Sequence, residues 1–374
     1  MVKALTLLSV IILSFSEVAL ATSNPCLALN WDFDLFVFGL NGKDYNASSQ
    51  STWMSATPAK DITSSGRPPF DGPHPKCFLA QYQDTVYVLG ADTANPASVY
   101  MYNFLAKSWS QQAVKTNGFN PASWNGILDH DTNVIFAISA GNLYTLSLGE
   151  QVKAQSTPLT WQPAGAVPYP SSYNPVMSIA NNHISFFDVP GVPAGSADLY
   201  VIHFSYWQQS QKYPLVSGSG SSFPASQGKA TSFSQKSIDN VQQEIAFIPE
   251  GAANTYVVDV LTNTTQKLAG PTNKDSTSQY FAGPTALVQL ASNGVVYFLP
   301  YEEGKNSANA AAKWSKVKSL LSFAPTKSTT RDIILDMDLV KRSGAPGTCQ
   351  VGSLYTICRV LSTGLVLSGI FCLL

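Results

Sequence analysis

A short apolar strand segment recurs six times along the chain at a nearly constant interval. It reads DLFVFG from Asp34, TVYVLG from Thr85, NVIFAIS from Asn133, HISFFDV from His183, EIAFIPE from Glu244 and GVVYFLP from Gly294. The starts lie 51, 48, 50, 61 and 50 residues apart. A period near fifty residues marks an array of supersecondary units, each too small to bury its apolar face alone and completed by its neighbours.

Further marks recur in phase. A second strand follows after a polar loop: SVYMYN from Ser98, NLYTLS from Asn142, DLYVIHF from Asp198 and NTYVVDV from Asn254, with Tyr100, Tyr144, Tyr200 and Tyr256 in equivalent places. A tryptophan closes the unit at Trp53, Trp109, Trp161, Trp207 and Trp314, and an aromatic residue precedes proline between units at Phe70, Phe119, Tyr173, Phe223 and Phe281. Large rings at such positions fill the wedge between packed sheets. Four short strands per unit suit a β-propeller, whereas a β-sandwich would not bring three kinds of mark into phase. The expectation is an all-β chain with a single β-propeller over residues 26–341, built of four-stranded antiparallel blades. Six blades follow from six copies, and seven if the 61-residue interval or the termini hold a degenerate unit. Closure is expected where the strand TTRDIILDMDLVK, residues 329–341, shares a blade with LALNWDFDLFVFG near the N-terminus. Residues 307–321 have some helical character.

The ends of the chain indicate an address. Lys3, an apolar run over residues 4–15, and Ala19 and Ala21 at small-residue cleavage positions form a secretory signal over residues 1–21. At the other end, small residues including Ser343, Gly344 and Gly347 lead into a spacer over 342–359 and an apolar tail over 360–374. That layout is a glycolipid-anchor (GPI-type) signal, with those three as candidate attachment residues, and a short membrane segment is the alternative. The expected location is the secretory pathway and then the extracellular face of the plasma membrane or the cell wall. Acceptor triplets at Asn46 and Asn263 fit glycosylation there. Cys349, Cys358 and Cys372 lie beyond the candidate attachment residues, so Cys26 and Cys77 are the two that remain and should form a disulfide. Charged residues are only 12% of the chain and the net charge is −1, which argues against a nucleic-acid partner.

The unit from Asp84 to Trp109, with a strand ending at Gly90 and a later Tyr-Met-Tyr-Asn before tryptophan, resembles a blade of the kelch or galactose-oxidase-type β-propeller. With the signal and the tail, the whole chain resembles fungal secreted or GPI-anchored kelch-like proteins. The double glycine of kelch blades is replaced by Gly39-Leu40, Gly90-Ala91 and Ile138-Ser139. The resemblance implies fold and compartment, and little about activity.

Catalytic chemistry has little support in the residues. A galactose-oxidase-like copper site needs clustered imidazoles. His74 falls between blades, His130 and His183 before second strands and His203 in a third strand, so only His74 reaches the expected mouth. Arg67 is one of few arginines available for a sialidase-like cluster. Asp71, Asp92 and Asp188 are the carboxylates a hydrolase would use, but acids are common in turns. No cofactor and no metal are expected. The leading expectation is a non-catalytic binding module for a glycan or protein at the cell surface, joined to the membrane by its tail or anchor. Its face is expected to carry Phe70, Phe119, Trp124, Tyr173, Phe223 and Tyr280, with Asp71, His74, Asn120 and Asn174 as polar partners. A carbohydrate-active enzyme, a degenerate oxidase and a purely structural cell-wall protein are the alternatives.

Overall fold

The computed structural model describes residues 23–170, 172–216, 223–236 and 241–324. These form six four-stranded antiparallel sheets that follow one another in sequence. The first holds β1 (Cys26–Leu29), β2 (Leu35–Leu40), β3 (Lys43–Asn46) and β4 (Lys60–Asp61). The second holds β5 (Lys76–Ala80), β6 (Thr85–Leu89), β7 (Val99–Asn103) and β8 (Ser108–Gln112). A two-residue strand β9 (Val114–Lys115) then pairs in parallel with β13 (Leu159–Thr160), outside the third sheet of β10 (Asn125–Asp129), β11 (Val134–Ser139), β12 (Asn142–Ser147) and β14 (Gln162–Ala166). The fourth sheet is β15 (Val176–Ala180), β16 (His183–Phe187), β17 (Ser196–Val201) and β18 (Tyr206–Lys212). The fifth is β19 (Gly228–Ser232), β20 (Glu244–Pro249), β21 (Asn254–Asp259) and β22 (Thr264–Ala269). The sixth is β23 (Gln279–Ala282), β24 (Ala286–Leu290), β25 (Val296–Pro300) and β26 (Ser315–Lys316).

The first strand of every sheet contacts the first strands of the sheets before and after it, β1 and β23 included. The sheets are therefore blades around an axis, and the protein is a six-bladed β-propeller. Each blade is covered on both faces, which is why a second strand such as Thr85–Leu89 is buried at every residue rather than alternating. Six apolar layers fill the six interfaces. Tyr100, Tyr144, Tyr200 and Tyr256 all lie on third strands and are buried within these layers. Trp53 and Trp161 are at most 1% exposed, and burying such a side chain contributes about 2–3 kcal/mol. Strands turn tightly within a blade: Asn41 and Gly42, at φ +50° and +78°, join β2 to β3 in the double left-handed turn whose twist matches a hairpin.

Residues 329–341, expected to share a blade with the N-terminal strands, lie outside the described residues. Among the described residues blades 1 and 6 each take four strands from one contiguous segment. They close by packing, with Leu27, Leu29 and Val37 against Val288 and Leu290, and Trp53 edge-on to Phe298 at 5.2 Å. After β26 a 3-10 turn, Lys318–Phe323, clasps blade 1: the Lys318 N–H donates to Trp53 O at 2.7 Å and Phe323 stacks on Tyr45 at 4.0 Å. The signal, the spacer, the tail and Ser343, Gly344 and Gly347 also lie outside the described residues. Among the described residues no helix is long and apolar enough to cross a membrane. The helical character at 307–321 is a short helix, Asn306–Ala311, followed by the clasp.

Two assignments shift by one element. The sixth copy, from Gly294, is the third strand of its blade, because the second is Ala286–Leu290, which begins 42 residues after Glu244. Gln289 hides this strand by interrupting its apolar run; it is fully buried, its amide donating to Asn273 O at 2.7 Å and to Ser278 Oγ at 2.9 Å. His203 follows the third strand of blade 4 in the turn to the fourth. The 61-residue interval holds no further sheet among the described residues, its extra length lying in the connections 213–227 and 233–243.

Cys26 and Cys77 are bonded, with Cα atoms 5.8 Å apart, and join the inner strands of blades 1 and 2. The bond closes a loop of 51 residues. The Cys26→Ser/Cys77→Ser protein is expected to keep its far-UV dichroism and to lose about 4 kcal/mol of unfolding free energy, read from the denaturant midpoint.

Candidate functional site

The connection from each blade's last strand to the next blade's first strand arrives at one end of the axis, together with the turns between second and third strands. All ten expected ligand residues lie there, on those connections or at the start of an inner strand. The topology gathers them on one face, and burial then divides them.

Three of the aromatic residues are core. Phe70 is fully buried, its ring beneath Gly39 and 6.2 Å from Trp109 in an edge contact, with the Arg67 guanidinium 5.0 Å above it. A Cβ at Gly39 would lie 2.5 Å from that ring, so glycine is what admits it. Phe119 stacks on Trp161 at 4.0 Å. Tyr173 is buried and donates its hydroxyl to Phe187 O at 2.6 Å. Phe223, half-buried, stacks on Phe247 at 5.2 Å. These rings plug the inter-blade wedges and leave no open face for a sugar to stack on. Trp124 and Tyr280 remain half-buried at the starts of the inner strands of blades 3 and 6.

The polar set also divides. Asp71 is exposed but closes a turn, accepting from the Thr93 N–H and hydroxyl, both at 2.9 Å. Burial acts to raise Asp92, yet hydrogen bonds from Tyr100, Asn95 and the Ala94 N–H outweigh it and hold the carboxyl below its usual range. Asp188 accepts from Gln227 at 2.6 Å. The carboxylates a hydrolase would need are thus held in separate structural contacts. Arg67 pairs with buried Asp44 through Nε at 3.0 Å and Nη2 at 2.7 Å, which anchors the blade 1 to blade 2 connection. Asn120, His74 and Asn174 stay exposed.

The mouth adds residues that sequence reasoning missed. Lys76 opens the inner strand of blade 2 and is half-buried; its Nζ donates to Asn125 Oδ1 at 2.7 Å and lies 5.4 Å over the Trp124 ring. Burial pushes this amine down to about 8, and the charge of Lys229, on the inner strand of blade 5, pushes the same way. Beside Lys229 a recess of about 40 Å³ is lined by Asn174, Gln227, Glu250, Lys274, Asp275 and Tyr280 among others. The available signal was Lys76 at the head of KCFLA, a strand whose far end is buried.

At the opposite end the loop after β19 reaches across the axis: Gln81 of blade 2 donates to Gln235 O of blade 5 at 3.3 Å. A cavity of about 490 Å³ lies between blades 5 and 6, bordered by Phe233, Lys236, Tyr301, Glu302 and Glu303. Beneath it Tyr301 donates to the buried Glu244 carboxyl at 2.5 Å. Burial pushes Glu244 up to about 7, with Glu303 and Asp259 adding to the rise and the Tyr301 hydroxyl opposing it. On the same end, Asp129, His130 and Asp131 bring one ligand atom each within 4.8 Å of one another. There His130 Nε2 meets Asp131 at 3.0 Å and Asp129 accepts from Thr132 at 2.5 Å, while the buried His130 Nδ1 has no hydrogen-bond partner.

No family model and no curated protein matches this sequence. Among solved structures, YjhT is similar at 10% identity and a TM-score of 0.50, covering 80% of this chain and 99% of that one. A nidogen/laminin complex is similar at 8% identity and a TM-score of 0.39, covering 64% of this chain and 76% of that one. The class defined is the six-bladed β-propeller; at these identities the likeness to YjhT concerns fold alone.

The Glu244 site has a pH signature. Its folded-state value near 7 exceeds the ordinary 4.5, so the folded protein binds the extra proton and this group's contribution falls as pH rises from about 4.5 to about 7. Glu244→Gln, which keeps an acceptor for Tyr301, is expected to match the wild type in melting temperature at pH 5 and to exceed it at pH 8.

Proposed function

We propose that this chain is a kelch-like binding module, secreted and held at the cell surface by its C-terminal signal, which recognises a glycan or protein ligand with the face where the inner strands begin. The observation that carries the reading is the contrast on that face. Asp71 and Asp92 are engaged in turns, whereas Trp124, Tyr280, Asn174 and the lysines at the mouth keep exposed surface. Rings beside amide and ammonium groups suit a hydroxyl-rich ligand, and nothing in that set needs a reacting nucleophile. The Cys26–Cys77 bond supports an oxidising compartment. Asn263, exposed in the turn before β22, supports glycosylation, while Asn46 is half-buried at the end of β3.

On a glycan array the full chain is expected to bind a defined subset of sugars, and Trp124→Ala to weaken that binding about tenfold without lowering the melting temperature by more than a few degrees. Binding to no sugar, or binding unaffected by Trp124→Ala, Tyr280→Ala and Asn174→Ala together, would remove the glycan reading. Release of the chain from intact cells by a phosphatidylinositol-specific phospholipase tests the anchor separately.

A further inference from the structure

Lys76 and Lys229 stand at the same end of the axis on blades 2 and 5, which are opposite one another in a ring of six. Neither takes part in the ion pairs among the described residues, which are Lys43–Asp61, Arg67–Asp44, His130–Asp131 and Lys236–Glu302. Lys76 is held by neutral groups only: the Asn125 carbonyl and the Trp124 ring. Asn125 is itself fixed, its amide donating to Pro175 O and its carbonyl also accepting from the Gly126 N–H at 3.1 Å. The ammonium is thus oriented before any ligand arrives, and the charge of Lys229 acts on it from the opposed blade.

Two positive charges held in a mouth with low-dielectric walls repel each other and attract an anion more strongly than they would in water. The flanking groups describe the rest of that anion. Trp124 offers an apolar face beside Lys76, while Asn174, Gln227 and Tyr280 line the recess beside Lys229. Glu250, Lys274 and Asp275 also line it. Asp275 stays ionised, accepting from the Ser292 N–H at 2.6 Å and the Thr277 N–H at 2.9 Å, so the recess sets two carboxylates, Asp275 and the exposed Glu250, beside Lys229 and Lys274, and Glu250 offers an acceptor to ligand hydroxyls.

We propose that the mouth of the axial channel is an anion site, in which Lys76 and Lys229 share the carboxylate of an acidic sugar whose ring lies along Trp124 and whose hydroxyls meet the amides of the recess. This rests on the binding face assigned above and narrows its ligand to carboxylated saccharides. An acidic peptide carries the same carboxylate chemistry without the ring and hydroxyls.

Calorimetric titration of the full chain at pH 7 distinguishes the two, using trigalacturonate, its methyl ester and triglutamate. Trigalacturonate is expected to bind, the ester to bind at least tenfold more weakly, and Lys76→Met and Lys229→Met each to weaken trigalacturonate binding about tenfold or more. Lys76→Gln, which can still contact Asn125, is expected to lose affinity equally, so that a packing defect in the methionine variant is separated from loss of charge. Equal binding of acid and ester, absence of binding by trigalacturonate, or full binding by the lysine variants would overturn the proposal. Binding of triglutamate in preference to trigalacturonate would overturn the sugar assignment. A neutral glycan bound through Trp124 with no lysine dependence would leave the binding module standing and refute only the anion site.

Discussion

Every blade of this protein is pressed between two others, and no blade has a free face. A sheet in that position cannot alternate apolar and polar residues, so strands such as Leu35–Leu40, Thr85–Leu89 and Ala286–Leu290 are buried along their whole length. The wedge between blades widens away from the axis, and large rings fill it: Trp53, Trp109 and Trp161 stand at that position in successive interfaces. The same demand draws in the aromatic residues before proline. Phe70 and Phe119 come from connecting loops, yet they finish inside the wedges and hold the loops down.

A ring imposes one further condition, that the last blade find the first. Among the described residues each terminal blade takes its four strands from one contiguous segment, and the seam between them is made of side chains and a clasp. The apolar layer at the seam is comparable in make-up to the others. Lys318–Phe323 adds backbone hydrogen bonds to Trp53 O and from the Ala59 N–H to Ser319 O at 2.8 Å. The disulfide sits one interface away, tying blade 1 to blade 2. Blade 1, which begins the chain, is therefore fastened on both sides by links other than strand pairing.

Blade number, sheet type and the tyrosine and tryptophan positions were legible because wedge packing selects residue types at fixed places in each repeat. The disulfide was legible from compartment and parity. What escaped did so for identifiable reasons. Gln289 breaks an apolar run because its buried amide ties down the 270–278 connection, and the stronger-looking Val296–Pro300 took its place in the count. An aromatic residue in a loop reads as exposed, and only the three-dimensional wedge shows that Phe70, Phe119 and Tyr173 are not. Lys76 is a single polar residue in KCFLA, and its partner Asn125 is 49 residues away on the next blade, so no local pattern announces the mouth.

The two ends of the axis differ in kind. At one end the loop after β19 crosses toward blade 2 through Gln235, and its neighbours are moored to blade 6 by Gln235 to Glu303 at 2.8 Å and Lys236 to Glu302 at 3.4 Å. At the other end the inner strands begin with Lys76, Asn125 and Lys229, and no described loop is bonded across them. In a chain with so few charged residues, an ammonium half-buried without a carboxylate partner costs stability that an exposed lysine would not, because burial alone draws its protonation toward neutrality. Packing does not require a charge there: a methionine of similar length would fill the same space beside Trp124. The Asn125 carbonyl and the Trp124 ring offset part of that cost, and an anion in the mouth, as proposed above, would offset more.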